Sequence, residues 1–258
     1  MLAEIRRNAI VEAVGRERVV RVADMAEKFG VSLMTIRRDI EALDESGLVQ
    51  KIHGGAKVPG GPSTHEPGFE LKSTQFTAEK LAIAQAALEL VHDGMAIGLS
   101  AGTTTWALAG LLARHRTLTI VTNSVRVADV FYTQGSPISV ILTGGQRTPS
   151  DALVGPIALQ SVRSLHLDLL FLGVHGVDVE TGFTTPNLLE AEMDRALIAA
   201  SRKVVVVADH SKWGTVGIST IAEFADVDEF ICDDGLGAEA QRLLRDRLAR
   251  LRIAAVPR

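Results

Sequence analysis

The 258-residue sequence holds a single cysteine, Cys232. That excludes an internal disulfide framework and any cysteine-rich zinc site. Cys232 lies in the apolar run "VDEFICDD" and reads as a small buried hydrophobe rather than a reactive thiol. Aromatic residues are scarce, 4% against 47% apolar residues in all, so Leu, Ile, Val and Ala must build the core. No apolar run approaches the roughly 18 residues that a membrane span needs. The N-terminus "MLAEIRRNAIVEAVG" is charged and helical in pattern, unlike a secretory signal. A cytosolic protein with no membrane partner is expected. No internal repeat is evident. A strong basic excess is missing too: the net charge is −4. Residues 1–58 carry ten Lys and Arg against nine Asp and Glu, and the remainder 17 against 22. Any reading as a DNA binder must therefore rest on where the basic residues stand.

The stretch "KVPGGPSTHEPGFE" (57–70) has three prolines and three glycines. It is incompatible with a regular helix or a central strand and reads as a joint. The expected division is a domain at 1–58, a linker at 59–74 and a larger domain at 75–258. In the front part, Leu2, Ile5, Ala9 and Ile10 recur at near-helical spacing over 2–14. A second helix spans about 22–29, and a third runs to about Ser46. Two β-prone pieces, about 48–52 and 56–58, flank His53-Gly54-Gly55 and read as a wing. The rear part alternates. Helical patterns at 78–92, 104–113, 125–133, 186–201 and 237–250 are interleaved with "MAIGLS", "LTIVTNS", "ISVILTGG", "LDLLFLGVHG", "KVVVVAD" and "EFICDD". Such alternation implies a largely parallel sheet covered by helices. The fold class is α/β: a small winged helix-turn-helix domain joined to a Rossmann-like, largely parallel domain.

In "VADMAEKFGVSLMTIRRDIEAL", Ala26 is the small residue where two helices must touch. Gly30 tolerates the positive φ of the turn. Met25, Phe29, Val31 and Ile36 are apolar where the pair must pack, and Ser32 can cap the third helix. On a helical wheel Ile36, Ile40 and Leu43 share one face; Met34, Arg38 and Glu41 lie opposite, flanked by Thr35 and Arg37. A recognition helix turns its N-terminal residues to the major groove. There arginine pairs bidentately with guanine, and the threonine methyl touches thymine. Lys51, His53 and Lys57 on the wing suit phosphates or the minor groove. The DNA-contacting set is thus Ser32, Met34, Thr35, Arg37, Arg38, Lys51, His53 and Lys57.

The segment "VSLMTIRRDIEALDESGLVQKIHGGA" resembles the signature of the DeoR family of bacterial transcription regulators. The rear half is similar to that family's sensor domain in "SAGTTTWALA", "TIVTNS", "LTGGQRTPSDALVGPIA", "FLGVHGVDVETGFTT" and "ADHSKWG". The resemblance covers nearly the whole chain. It implies a sensor that resembles sugar-phosphate isomerases in fold and binds a phosphorylated sugar intermediate. Family members often carry an acidic residue just before Gly-Thr-Thr-Thr. This chain has Ser100-Ala101 there, a departure that bears on the effector's identity.

The residues of the rear half point the same way. Gly102 is expected to let the chain turn tightly after a strand. Thr103, Thr104 and Thr105 then bring N–H groups and hydroxyls to a helix start, where an anion is favoured. Thr122-Asn123-Ser124 and Thr143-Gly144-Gly145 follow the next two strands. In an open α/β sheet, ligands sit at the carboxyl ends of the strands. With Ser100, these turns are expected to form a phosphate and hydroxyl site. Arg147, His175, Asp178, Glu190, Asp209 and Lys212 are its charged candidates, each also readable as a cap or surface charge. Trp106 and Trp213 suit a pocket wall or ordinary core packing equally.

Isomerising a sugar phosphate needs a carboxylate base and a group that polarises a carbonyl. Asp178 or Glu190 with His175 or Lys212 supplies the types, but no second, well-spaced carboxylate pair is visible. The expected protein is not an enzyme and uses no cofactor or metal. It is a repressor of a sugar or polyol catabolic operon, with double-stranded operator DNA, a sugar-phosphate effector and further copies of itself, in a dimer or tetramer, as partners.

Overall fold

The computed structural model describes residues 2–17, 19–46, 48–57, 63–64, 66, 68–115 and 117–257. The front part comprises α1 (Ala3–Glu17), β1 (Val19–Arg21), α2 (Val22–Phe29), α3 (Leu33–Glu45), β2 (Gln50–Ile52) and β3 (Gly55–Lys57). Gly30 ends α2 in the left-handed conformation, φ 63, and its N–H donates to the carbonyls of Ala26 and Glu27. Ser32 caps α3, its Oγ accepting from the Thr35 N–H at 3.1 Å. Ile36, Ile40 and Leu43 are buried against Ile10, Val11 and Val14 of α1 and Met25 and Ala26 of α2. Phe29 and Val31 pack at the edge of this core.

Two features differ from the sequence pattern. Leu2 and Ile5 are exposed, at 73% and 56%. Asp39 of α3 draws Arg6 inward instead, Nε to Oδ2 at 2.5 Å, and Arg7 to Oδ1 at 3.0 Å. The ion pairs turn α1 so that Ile10, Val11, Ala13 and Val14 face the core. The wing also has a third strand: β1 pairs with β3, giving the order β1-β3-β2. A three-residue strand carries too little periodicity to be read locally. An added Cβ on Gly55 would lie 2.1 Å from the Val20 carbonyl oxygen, so the strands can approach there only with glycine. Val58, expected to end the wing, lies outside the described residues, as do 59–62, 65 and 67 of the joint.

After the wing come α4 (Phe69–Ser73), within the expected linker at 59–74, and α5 (Thr77–Leu88), which opens the rear part. Phe69 opens α4, so a short helix starts inside the stretch whose prolines and glycines excluded one. The alternating region then runs β4 (Ala96–Leu99), α6 (Thr103–Leu112), β5 (Thr119–Thr122), α7 (Val125–Thr133) and β6 (Ser139–Leu142). A hairpin, β7 (Gln146–Arg147) and β8 (Leu153–Val154), precedes α8 (Pro156–Val162) and β9 (Leu169–Leu172). Next come β10 (Gly176–Asp178), β11 (Gly182–Thr185), α9 (Leu188–Ala199), β12 (Val204–Val207) and a 3-10 turn at His210–Lys212, the first of two, the second being Phe224–Asp226. The chain closes with β13 (Ser219–Ala222), β14 (Glu229–Asp233), α10 (Ala238–Arg245) and β15 (Leu251–Ala254).

Among the described residues, seven strands form one parallel sheet, ordered β15-β14-β12-β9-β4-β5-β6. Its central strands are buried on both faces, as their unbroken apolar runs require. Leu170, Leu172, Val204 and Val206 enter one core; Phe171, Val205, Val207 and Ile97 enter the other. The last helix stops at Arg245 rather than 250, and the residues after it supply β15, an edge strand. Its half-buried side chains gave no alternation to read.

Phe76, the residue before α5, adopts φ 50 and ψ 41. Its buried ring belongs to the front core, although Phe76 follows the joint. The ring reaches Gly15 of α1, where an added Cβ would lie 2.8 Å from Phe76 Cζ. It also meets His210 edge-on, at 5.3 Å between centroids. His210 is held by Asp233, Nδ1 to Oδ2 at 2.6 Å.

Candidate functional site

Two regions gather the residues singled out in the sequence. On the front part, Met34, Arg37 and Arg38 are exposed on the first turns of α3. Ser32 and Thr35 share a hydroxyl contact of 2.9 Å and close the start of that helix. A groove between α3 and the wing brings Arg37 together with Lys51 and His53. Lys57 lies on β3, half-buried. Lys51 is paired in the free protein, Nζ to Glu41 Oε1 at 2.6 Å. That contact holds the Glu41 carboxyl below its usual value.

The second region is a cleft of about 720 Å³, its mouth included, beyond the carboxyl ends of β4, β5, β9 and β12. Seven of the sequence-named residues line it: Gly102, Thr103, Thr104, Asn123, His175, Glu190 and Lys212. Gly102 is not a left-handed turn. Its φ is 170, extended backbone. Glycine serves there for close approach: an added Cβ would lie 3.2 Å from Thr105 Oγ1 and 3.6 Å from Gly173 Cα. Having no side chain, Gly102 does not cap α6, and the first N–H groups of a helix have no partner within it. Asn123 is fixed by accepting the Ala101 N–H at 2.9 Å.

The other sequence-named residues hold the turns and lie outside the lining. Ser100 Oγ accepts the Gly173 N–H at 2.9 Å and ties the ends of β4 and β9 together. Thr105 Oγ1 donates to the carbonyls of Ser100 and Gly102 at 2.7 and 2.9 Å. Thr122 Oγ1 donates to the Leu99 carbonyl at 2.7 Å, and Ser124 caps α7. Gly144 and Gly145, φ 70 and 117, carry the chain from β6 into β7. Arg147 is 58% exposed and paired with Asp151. Asp178 accepts the N–H groups of Glu180 and Thr181 at 3.0 and 3.2 Å in the β10–β11 turn. Asp209 caps the His210–Lys212 turn. Burial pushes its carboxyl up, but Lys212 and Lys80 hold it below its usual value. Trp213 packs against the core, and Trp106 meets Phe69 edge-on at 5.8 Å, away from the cleft.

Several lining residues escaped the sequence reading. Glu66 and Lys72 come from the joint, and Ser150, Thr185 and Asp194 from the rear part. Asp194 stands four residues after Glu190, on the same face of α9; that spacing was the one signal available. Glu66 is bound into the wall, accepting the Ser150 N–H at 3.2 Å and the Asn187 amide at 2.9 Å. Glu190 Oε1 accepts the hydroxyls of Ser150 and Thr148.

The cleft concentrates charge away from water. Burial, then Lys212, draws the Lys72 ammonium down to about 8, against the pull of Glu190 and Glu66. Burial likewise draws Lys80 down to about 8. The Lys80 ammonium donates to the carbonyls of Lys72 and Gln75 at 2.5 and 2.6 Å, fastening α4 to α5. Burial raises the Glu190 carboxyl, and burial followed by Glu190 raises that of Asp194 well above its ordinary value. Two ammonium groups beside unpaired helix N–H groups form a setting for an anion. Among the described residues, no His, Cys, Asp and Glu cluster is placed to hold a metal, and no helix is long and apolar enough to cross a membrane.

Residues 6–60 match the DeoR-like helix-turn-helix domain, and residues 75–234 the DeoR C terminal sensor domain. The chain is 38% identical to the HTH-type transcriptional regulator GlpR of Haloferax volcanii, over 93% of this chain and 94% of the relative. It is 32% identical to the glycerol-3-phosphate regulon repressor of Escherichia coli (strain K12), over 96% and 98%. It is 34% identical to the transcriptional repressor AccR of Agrobacterium fabrum, over 89% of each. Among solved structures it is similar to a D-ribose-5-phosphate isomerase in complex with phospho-erythronic acid, at 19% identity, 52% of each chain and a TM-score of 0.39.

Proposed function

The chain belongs to the DeoR family of transcription regulators, and from that membership we propose that it represses a sugar or polyol catabolic operon under control of a phosphorylated sugar. Residues 1–58 are the operator-binding domain, 59–74 the linker and 75–258 the effector-binding and oligomerisation domain. Arg37 and Arg38 read bases in the major groove, and the wing residues Lys51, His53 and Lys57 hold backbone phosphate. A single winged helix reads few bases, so the working form is at least a dimer.

The observation that carries this reading is the composition of the cleft. Lys212 and Lys72 stand beside the open start of α6, where Thr103 and Thr104 present N–H groups. A phosphate fits those donors, and the polar wall of Asn123, Glu190 and Asp194 takes hydroxyls. Lys72 and Glu66 belong to the joint, so a ligand in the cleft touches the segment leading to the DNA-binding domain. A ligand binding unequally to two arrangements of that segment shifts their populations. The protein acts as a sensor and not as an isomerase.

The test is a melting-temperature screen against sugar phosphates of three to six carbons, followed by mobility shift with DNA from the chain's own upstream region. One compound should raise the melting temperature and change operator retention. Lys212→Ala should bind DNA normally and lose that response. If no phosphorylated sugar alters either readout, the effector reading is wrong. Chromatographic conversion of the hit to a second sugar phosphate would show an enzyme instead.

A further inference from the structure

The carboxyl-bearing part of the cleft wall has a chemistry of its own. Asp194 is 8% exposed and lines the cleft, and among the described residues its carboxyl makes no hydrogen bond or ion pair. The groups around it are Glu190 and Arg195 on α9, Glu66 and Lys72 from the joint, Lys212 on the turn after β12, and His175 after β9. Glu190 is oriented by the Thr148 and Ser150 hydroxyls on one oxygen, and Glu66 faces it. A buried carboxylate without a partner is costly, so such a group stays protonated. Both burial and the neighbouring Glu190 push the Asp194 carboxyl in that direction. A protonated carboxyl offers one O–H donor and one carbonyl acceptor, the pairing that a hydroxyl satisfies. With the phosphate held by Lys72 and Lys212, a second anion there would face the carboxyl groups of Asp194, Glu190 and Glu66.

We propose that Asp194 and Glu190 grip hydroxyls at the uncharged end of the effector, so that the cleft accepts polyol, aldose or ketose phosphates and rejects phosphates ending in a carboxylate. This rests on the reading of the cleft as an effector site. Asp194 sets the class of sugar, and the ammonium groups hold the phosphate.

Matched ligands of equal length test it on the full chain. The pairs are glycerol 3-phosphate against 3-phosphoglycerate and glucitol 6-phosphate against 6-phosphogluconate, with inorganic phosphate as control; binding is followed by calorimetry and melting temperature. The neutral-ended member of whichever pair binds should bind at least about tenfold more tightly than its acid partner. Asp194→Asn, a neutral isostere, should keep the neutral ligand within about threefold. Asp194→Ala should lose about tenfold or more for it and leave inorganic phosphate unchanged. An acid-ended ligand binding as tightly as its partner in the unaltered protein overturns the proposal, and this comparison needs no variant to fold. So does an unchanged affinity for the neutral ligand in Asp194→Ala. Should inorganic phosphate and all four compounds fail to bind the unaltered chain, the effector reading falls as well.

Discussion

Replacing Asp39 by alanine removes the carboxylate on which two guanidinium groups converge. Arg6 Nε lies 2.5 Å from Asp39 Oδ2, with the side chains 8% and 3% exposed. Arg7 Nε lies 3.0 Å from Oδ1 and is 41% exposed. Removing one partner of a buried ion pair costs about 3–5 kcal/mol. The half-exposed Arg7 contact contributes less than about 1 kcal/mol. A domain the size of residues 1–58 has a total stability on the order of 3–8 kcal/mol. The substitution therefore takes most of it. Hydrogen exchange should show protection collapsing across α1, α2 and α3 while β4, β9 and β12 keep theirs. Operator binding should vanish at 37 °C, with any effector-induced rise in the sensor's melting temperature retained. Asp39→Asn should fall between, since its amide oxygen still accepts one bond. A loss below about 1 kcal/mol in the front transition would refute the claim that this carboxylate fastens α1 to α3.

Arg38→Ala should weaken specific operator binding by about 1–3 kcal/mol and leave the melting temperature unchanged; equal affinity in a mobility shift counts against the orientation of α3. Gly55→Ala sets a methyl 2.1 Å from the Val20 carbonyl oxygen, so β1 should detach from β3, operator binding should drop, and effector binding should persist. Phosphate binding should be proton-linked near pH 8.5. The free Lys72 ammonium, drawn to about 8, is mostly neutral there, and a bound anion restores its charge. Binding then takes up a proton, read as a calorimetric enthalpy that varies with buffer ionisation heat. Lys72→Arg, always charged, should remove that share; identical uptake in both proteins contradicts the assignment.

The front of the molecule was legible because its signals are local. Ala26, Gly30 and Ser32 each answer to a rule about one turn of chain, and the structure uses all three as those rules require. The long parallel sheet was legible from unbroken apolar runs such as "VVVV". What escaped depends on partners far along the chain. β1 and β15 exist through their pairing with β3 and β14, and the inward turn of Arg6 exists through Asp39. In the cleft, the turns after β4 and β5 and the charges His175, Glu190 and Lys212 were named from position alone. Glu66 and Lys72 were hidden behind a proline- and glycine-rich stretch that reads as connection. Which threonines and serines hold the turns and which face the cleft is decided by hydrogen bonds across strands, and no local pattern encodes that.

The placement of Phe76 governs how this protein can be recombined. A graft that swaps DNA-binding heads between relatives at the prolines of the joint leaves this ring on the acceptor body and takes its Gly15 seat away with the donor head. Each hybrid then inherits a plug cut for a different socket. The workable seam lies beyond residue 76, where head and ring travel together; the contacts to match there are those of Phe76 with His210, Glu66 with Ser150 and Asn187, Lys80 with the Lys72 and Gln75 carbonyls, and Phe69 with Trp106.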